Sequence, residues 1–250
     1  EYPRDDLVEL PGGVKTASGV YTTAVVRELT GEDEEALSKA MQSSNPFHFV
    51  DTLLERGTVS IGSAATSETR NLLRKALIGD RDAIILGIRK ATYGNSMEFP
   101  GWVCPHAQCQ TQTDITLTLD EIKSVKLESI DDLEFEVPLR KGGHALVRLP
   151  TGGDQKKVYE NVKLSDAEKD TVLLSQIVLE IVDEAGSARS VFAEPSLVRE
   201  MGVADRKRIL KEVVKRQPGP KYDGITFVHE DCGEEVSLNI TVGDLFLDLL

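Results

Sequence analysis

The chain has 250 residues, 40% of them hydrophobic and 28% charged, with a formal net charge of −13. That balance fits a globular protein of one large or two small domains, and its acidity excludes the basic footprint of non-specific nucleic-acid binding. No stretch approaches the roughly 18 consecutive apolar residues of a membrane span, and residues 1–10 lack the basic and apolar segments of an export signal, so a cytosolic site of synthesis is expected.

Residues 7–29 read as short extended pieces punctuated by Pro11-Gly12-Gly13, with β-branched residues marking a strand over 21–29. Thr30 then reads as a helix N-cap, with Asp33 at the capping-box position and an acidic first turn. That helix is expected to run to about Gln42. Asn45-Pro46 opens a second helix, ended by Gly57, and residues 59–61 form an apolar link. A third helix covers 67–77, Gly79-Asp80 breaks it, and a fourth covers 81–93. Their apolar stripes read as core.

Residues 97–103 then read as a strand, and 114–119 alternate as its return. Three more strand-like runs follow, at 133–137, 144–149 and 156–162. Gly142-Gly143 and Gly152-Gly153 separate them as hairpin turns would, which implies a small antiparallel sheet. Ser165, with Glu168 three residues on, caps a long helix expected to reach Ala185 with a broad apolar surface. Pro195 begins a short helix, and another spans 203–215. The segments 222–228 and 235–240 are the last two strands. The apolar tail carries Leu245, Phe246, Leu249 and Leu250, and should dock on the protein or on a partner. The tail and the long helix are the candidate subunit contacts.

The chain is organised around two turns of the same layout. Residues 102–119 offer Cys104 and Cys109; residues 227–242 offer His229 and Cys232, with Gly233 following. These are the only three cysteines, an odd number that argues against a disulfide framework and for metal-holding thiols. Structural zinc takes four Cys or His ligands in a tetrahedron, and a ribbon supplies two from each of two tight turns. Cys-x4-Cys and His-x2-Cys are workable spacings. Cys104, Cys109 and Cys232 are the firmer ligands; the fourth is His229 or, in its place, His106. His48 and His144 read as structural or exposed. Four protein ligands make a closed site, so such a zinc would clamp a scaffold rather than activate water.

No nucleotide-binding Gly-x4-Gly-Lys loop, His-Glu-x-x-His helix or Gly-x-Ser-x-Gly elbow is present. The glycine pairs are read as lying between strands without a following helix. The acidic runs at 32–35 and 131–132 read as solvated faces and caps. The expectation is a protein that is not an enzyme.

The order of features carries a resemblance. LPGG leads into VVRELTGEDEEAL, then FVDTLLERGTVSIG, then GDRDAIILGIRKATYGNSMEF feeding WVCPHAQC, and much later GVADRKRILKEVVKRQPGPKYDGITFVHEDCGEE. The chain resembles the baseplate hub and tail assembly protein family of T-even-like, contractile-tailed bacteriophages. That resemblance implies a structural role in the virion tail, with other baseplate and tail proteins, and copies of itself in a ring, as partners. It implies no catalytic residues. It also implies Cys-x-x-Cys knuckles, from which Cys-x4-Cys and His229 depart.

The expected fold is therefore α+β, with an N-terminal strand and helical region (1–95), zinc-ribbon halves at 96–120 and 221–250, and an inserted sheet with helices at 121–220. Two further readings remain beside the baseplate component. One is an assembly chaperone absent from the finished particle. The other is a zinc-dependent enzyme, which an open coordination position would favour.

Overall fold

The computed structural model describes residues 6–223 and 225–249. Strands β1 (Leu7–Thr16) and β2 (Gly19–Val26) form a hairpin whose pairing slips between Glu9 and Val14, where Pro11-Gly12-Gly13 bulges out. Proline has no N–H to give the ladder, and Gly13 takes φ +75°, a backbone state that glycine enters freely. Helices α1 (Gly31–Met41) and α2 (Phe47–Gly57) follow, and residues 59–61 are more than a link: they belong to β3 (Thr58–Ile61), which completes an antiparallel sheet of order β1-β2-β3. The Thr30 cap forms as expected, with Asp33 accepting from the Thr30 amide at 2.8 Å and its hydroxyl at 2.9 Å. Asp33 itself leaves the solvated acidic face. It is buried, and pairs with Arg27 at 2.8 Å and Arg56 at 2.7 Å.

Helices α3 (Thr69–Lys75) and α4 (Ile78–Tyr93) come next. Gly79-Asp80 does not break the helix as its composition suggests; both residues sit in the first turn of α4. Gly79 is there for contact, because a Cβ on it would lie 1.6 Å from the Pro218 carbonyl oxygen. Asp80 accepts from the Gly12 amide at 2.7 Å and the Gly13 amide at 3.3 Å, tying α4 to the β1 bulge. Ile84, Ile85 and Ile88 are fully buried, which makes α4 the centre of the first core.

Strands β4 (Ser96–Val103) and β5 (Gln112–Thr118) pair as a hairpin. After the short β6 (Ser124–Val125), strands β7 (Glu134–Pro138) and β8 (His144–Arg148) begin a second sheet. The next segment departs from its strand-like reading. Residues 156–162 fall largely within a helix, α5 (Gly152–Tyr159), and Gly152-Gly153 is its first turn, not a hairpin. Thr151 and Asp154 close a capping box there, and the box outweighs the two glycines. A Cβ on Gly152 would lie 2.4 Å from Arg81 Nη1, so close packing selects glycine at that position.

Helix α6 (Asp166–Ile177) starts at the expected Ser165 cap but stops well short of Ala185. The run of β-branched and apolar residues that follows is β9 (Val178–Val182), paired with β8. Such residues suit a pleated strand as well as a helix, and sheet pairing decides. Strand β10 (Ala188–Ser190) completes an antiparallel sheet of order β10-β9-β8-β7, and helices α7 (Ser196–Glu200) and α8 (Val203–Arg216) cover it. Leu174, Ile177 and Val178 are buried in this second core with Val147 and Ile209, whereas Val172, Leu173, Leu179, Ile181 and Val182 of the expected broad apolar surface are only half-buried.

The chain returns through β11 (Gly219–Pro220), which pairs with β6, to a last hairpin of β12 (Ile225–Val228) and β13 (Glu235–Leu238). A closing 3-10 turn (Asp244–Leu249) buries Leu245 and Phe246 in the first core. The tail thus docks on its own protein; Leu250 and the Leu249 side chain lie outside the described residues. The architecture is α+β, and among the described residues every strand pair is antiparallel.

Candidate metal centre

Each hairpin ends in a turn that holds its donors by backbone hydrogen bonds. In the first, the Cys104 amide donates to the Thr111 carbonyl at 3.0 Å, and the amides of Cys109 and Gln110 both donate to the His106 carbonyl, at 2.9 and 3.1 Å. In the second, the His229 amide donates to the Glu234 carbonyl at 2.9 Å, and the Gly233 amide to the His229 carbonyl at 2.7 Å. The residue after the last donor is left-handed in both: Gly233 at φ +70° and Gln110 at φ +49°. Glycine enters that region without penalty, whereas glutamine is held there by the turn.

The two turns meet. Cys104 Sγ lies 4.0 Å from Cys232 Sγ, Cys109 Sγ lies 3.6 Å from His229 Nδ1, and His229 Nδ1 lies 3.3 Å from Cys232 Sγ. All four donor atoms fall within 4.8 Å of one another, a set that could hold a metal ion. A tetrahedral zinc with ordinary Zn–S and Zn–N bonds would separate two sulfurs by about 3.8 Å and sulfur from nitrogen by about 3.6 Å. The observed 4.0 Å between the Cys104 and Cys232 sulfurs, and 3.6 and 3.3 Å from His229 Nδ1 to Cys109 and Cys232, lie close to those values. The sulfurs are also far beyond the roughly 2.05 Å of a disulfide, and all three cysteines are free.

Burial and hydrogen bonding treat the thiols differently. Burial pushes the Cys104 thiol up, while the Thr111 hydroxyl, 3.3 Å from Cys109 Sγ, helps pull the Cys109 thiol down. Metal ligation requires thiolates, so Cys109 is the easier of the two to ionise. Trp102 packs against the His229 ring at 5.8 Å and edge-on to Phe227 at 5.3 Å, which fixes the imidazole and screens it from water. Thr111 and Trp102 are supporting residues that spacing rules do not reveal.

Of the two histidines that the spacing left open, His229 joins the cluster. His106 shapes the first turn through its carbonyl and is outside the group of donors. His48 meets the Ser43 hydroxyl through Nδ1 at 2.8 Å, and His144 lies 3.5 Å from the Glu136 carboxylate.

A second group of buried charges went unmarked in the sequence. Burial pushes the Asp80 carboxyl up to about 6, against the pull of the Gly12, Gly13 and Leu77 amides. Loss of solvent likewise raises Asp82 to about 6, opposed by Arg81 and Lys221. Arg81, fully buried, donates to Asp51 at 2.9 Å and to the Leu73 carbonyl at 3.2 Å, and lies over the Phe47 ring. Phe47 stacks on Tyr159 of α5, so these groups tie α2 and α4 to α5.

No helix among the described residues is long and apolar enough to cross a membrane. Set beside known proteins, the chain matches no protein-family model, no curated protein and no solved structure.

Proposed function

We propose that this protein is a scaffold held by a structural zinc ion on Cys104, Cys109, His229 and Cys232, working through protein contacts in a phage tail baseplate. The observation that carries the reading is the meeting of three thiols and one imidazole, all within 4.8 Å of one another, from two turns far apart in the chain. Once all four ligate, the shell has no position for a substrate or an activated water. The ion then clamps the two ends of the chain's long excursion through the second core. The chemistry it supplies is positional, coupling metal binding to folding.

The choice of a tail baseplate rests on the resemblance of the ordered segments already quoted. The net charge of −13 suits it, because it favours basic surfaces on neighbours and discourages self-association before assembly. The test is quantitative mass spectrometry of purified phage particles encoding this chain, counted against the major tail protein. A fixed small ratio is the expected result and marks a built-in component. Absence from particles with abundance in the lysate would replace that role with an assembly chaperone.

A further inference from the structure

The two ribbon hairpins do not share a sheet. Among the described residues, strand β5 pairs only with β4, and β12 only with β13. Among the described residues no backbone hydrogen bond joins β5 to β12. Yet the two strands flank one groove of about 320 Å³. Its walls are the unbroken runs 113–117 of β5 and 225–228 of β12, while β4 contributes nothing and β13 only Leu238. Successive residues of a strand point to opposite faces, so a groove touched by every residue in turn lies along the strand's edge. Each hairpin therefore turns its unpaired edge, with free N–H and C=O groups, toward the same space.

The charge of the groove selects what fits it. Glu121, Glu230 and Asp231 line it, all three exposed, together with Asp114, whose Oδ1 accepts from the Gly101 amide of β4 at 2.8 Å; no Lys or Arg lines it. Ile115, half-buried, supplies apolar contact from β5, and Val228, 64% exposed, lies at the metal end. A second copy of this chain, at −13, brings the wrong charge.

We infer that this groove is a docking slot for an extended basic segment of a partner protein. The segment enters as a strand between β5 and β12 and converts two hairpins into one five-stranded sheet. Main-chain bonds to both edges give affinity, and alternating Lys or Arg side chains meet the carboxylates of Glu121, Glu230 and Asp231. The inference rests on the scaffold reading in one respect: bound metal fixes how far apart the hairpins stand.

The test uses the full chain, with zinc content measured on the same sample, and a fluorescent peptide of alternating Lys and Val. Anisotropy should show saturable binding that weakens with salt. N-methylation of alternate peptide nitrogens, or Glu121→Lys combined with Glu230→Lys, should weaken it at least about tenfold. Hydrogen exchange should show new protection in residues 113–117 and 225–228. Equal binding of the N-methylated peptide, equal binding of an alternating Glu and Val peptide, or protection elsewhere would overturn the slot. Full zinc occupancy without peptide binding sinks the slot alone. Peptide binding of this kind by a protein that holds no zinc leaves the slot standing and removes the metal-held scaffold.

Discussion

Cys104 is the most buried of the three thiols, and its Sγ faces Cys232 across the join between the hairpins. Replacing it with serine removes a soft donor where the remaining three cannot complete a tetrahedron. On the proposed zinc reading, Cys104→Ser should lose the bound metal and more than about 3 kcal/mol of stability, as read by metal analysis and urea unfolding. A variant with unchanged midpoint and metal content would disprove the structural-metal role. Asp80 makes a prediction of a different kind. Its folded-state pKa, near 6, exceeds the ordinary carboxylate value, so the folded protein binds this proton more tightly than the unfolded chain. Stability should then be highest below about pH 4 for this group and fall as pH climbs toward 6, by something of order 3 kcal/mol. Asp82 acts in the same window with the same sign. Asp80→Asn should flatten part of that slope in unfolding curves taken between pH 4 and 7; an undiminished slope would assign it elsewhere. Asp33 and Asp154 act in the opposite sense. Burial would raise both, but arginine and backbone partners hold them low, so their stabilisation is lost only as pH drops below about 4.

Among the elements, α1 and α4 show how a local signal gains or loses meaning through packing. The Thr30 and Asp33 cap is legible because a capping box is written within four residues. Its burial against Arg27 and Arg56 is not, since Arg56 comes from the next helix. Asp33→Ala should cost about 2 kcal/mol, combining a lost cap with two arginines left without their carboxylate. Thermal unfolding would measure it, and a change below a few tenths would mean the pairs contribute nothing. At α4, Gly79→Ala places a methyl against the Pro218 carbonyl. Backbone cannot yield as a flexible side chain does, so a loss of about 3 kcal/mol or more is expected. An unaffected midpoint would show that the approach of these two segments is loose. The misread elements share a cause. Gly152-Gly153 resembles a turn until Arg81 is placed beside it, and Val178–Val182 resembles more helix until β8 offers a ladder.

For the molecule as a whole, two cores with separate memberships meet at Arg81, Gly79 and the β6–β11 pair. On the proposed zinc reading, chelation should loosen the Cys/His end without melting the second core. Hydrogen exchange after EDTA treatment is expected to quicken in residues 96–118 and 225–238 while β7, β8 and α8 stay protected. Uniform loss of protection would mean that the ion supports the whole fold rather than its two ends.

The sequence by itself determined the features whose chemistry is local or rare. Three cysteines in two matching turns named their own cluster, with the histidine left open between His106 and His229, and caps and alternating strands named most of their elements. Tertiary structure alone decided which histidine joined, where α6 gave way to β9, and why glycines sit at 79 and 152. It also decided that an aspartate and an arginine could be buried side by side in α4. The division has a physical reason. Caps and turns are set by neighbours within a few residues, whereas burial, close approach and strand pairing depend on groups such as Pro218 and Gly79 that only the folded chain brings together.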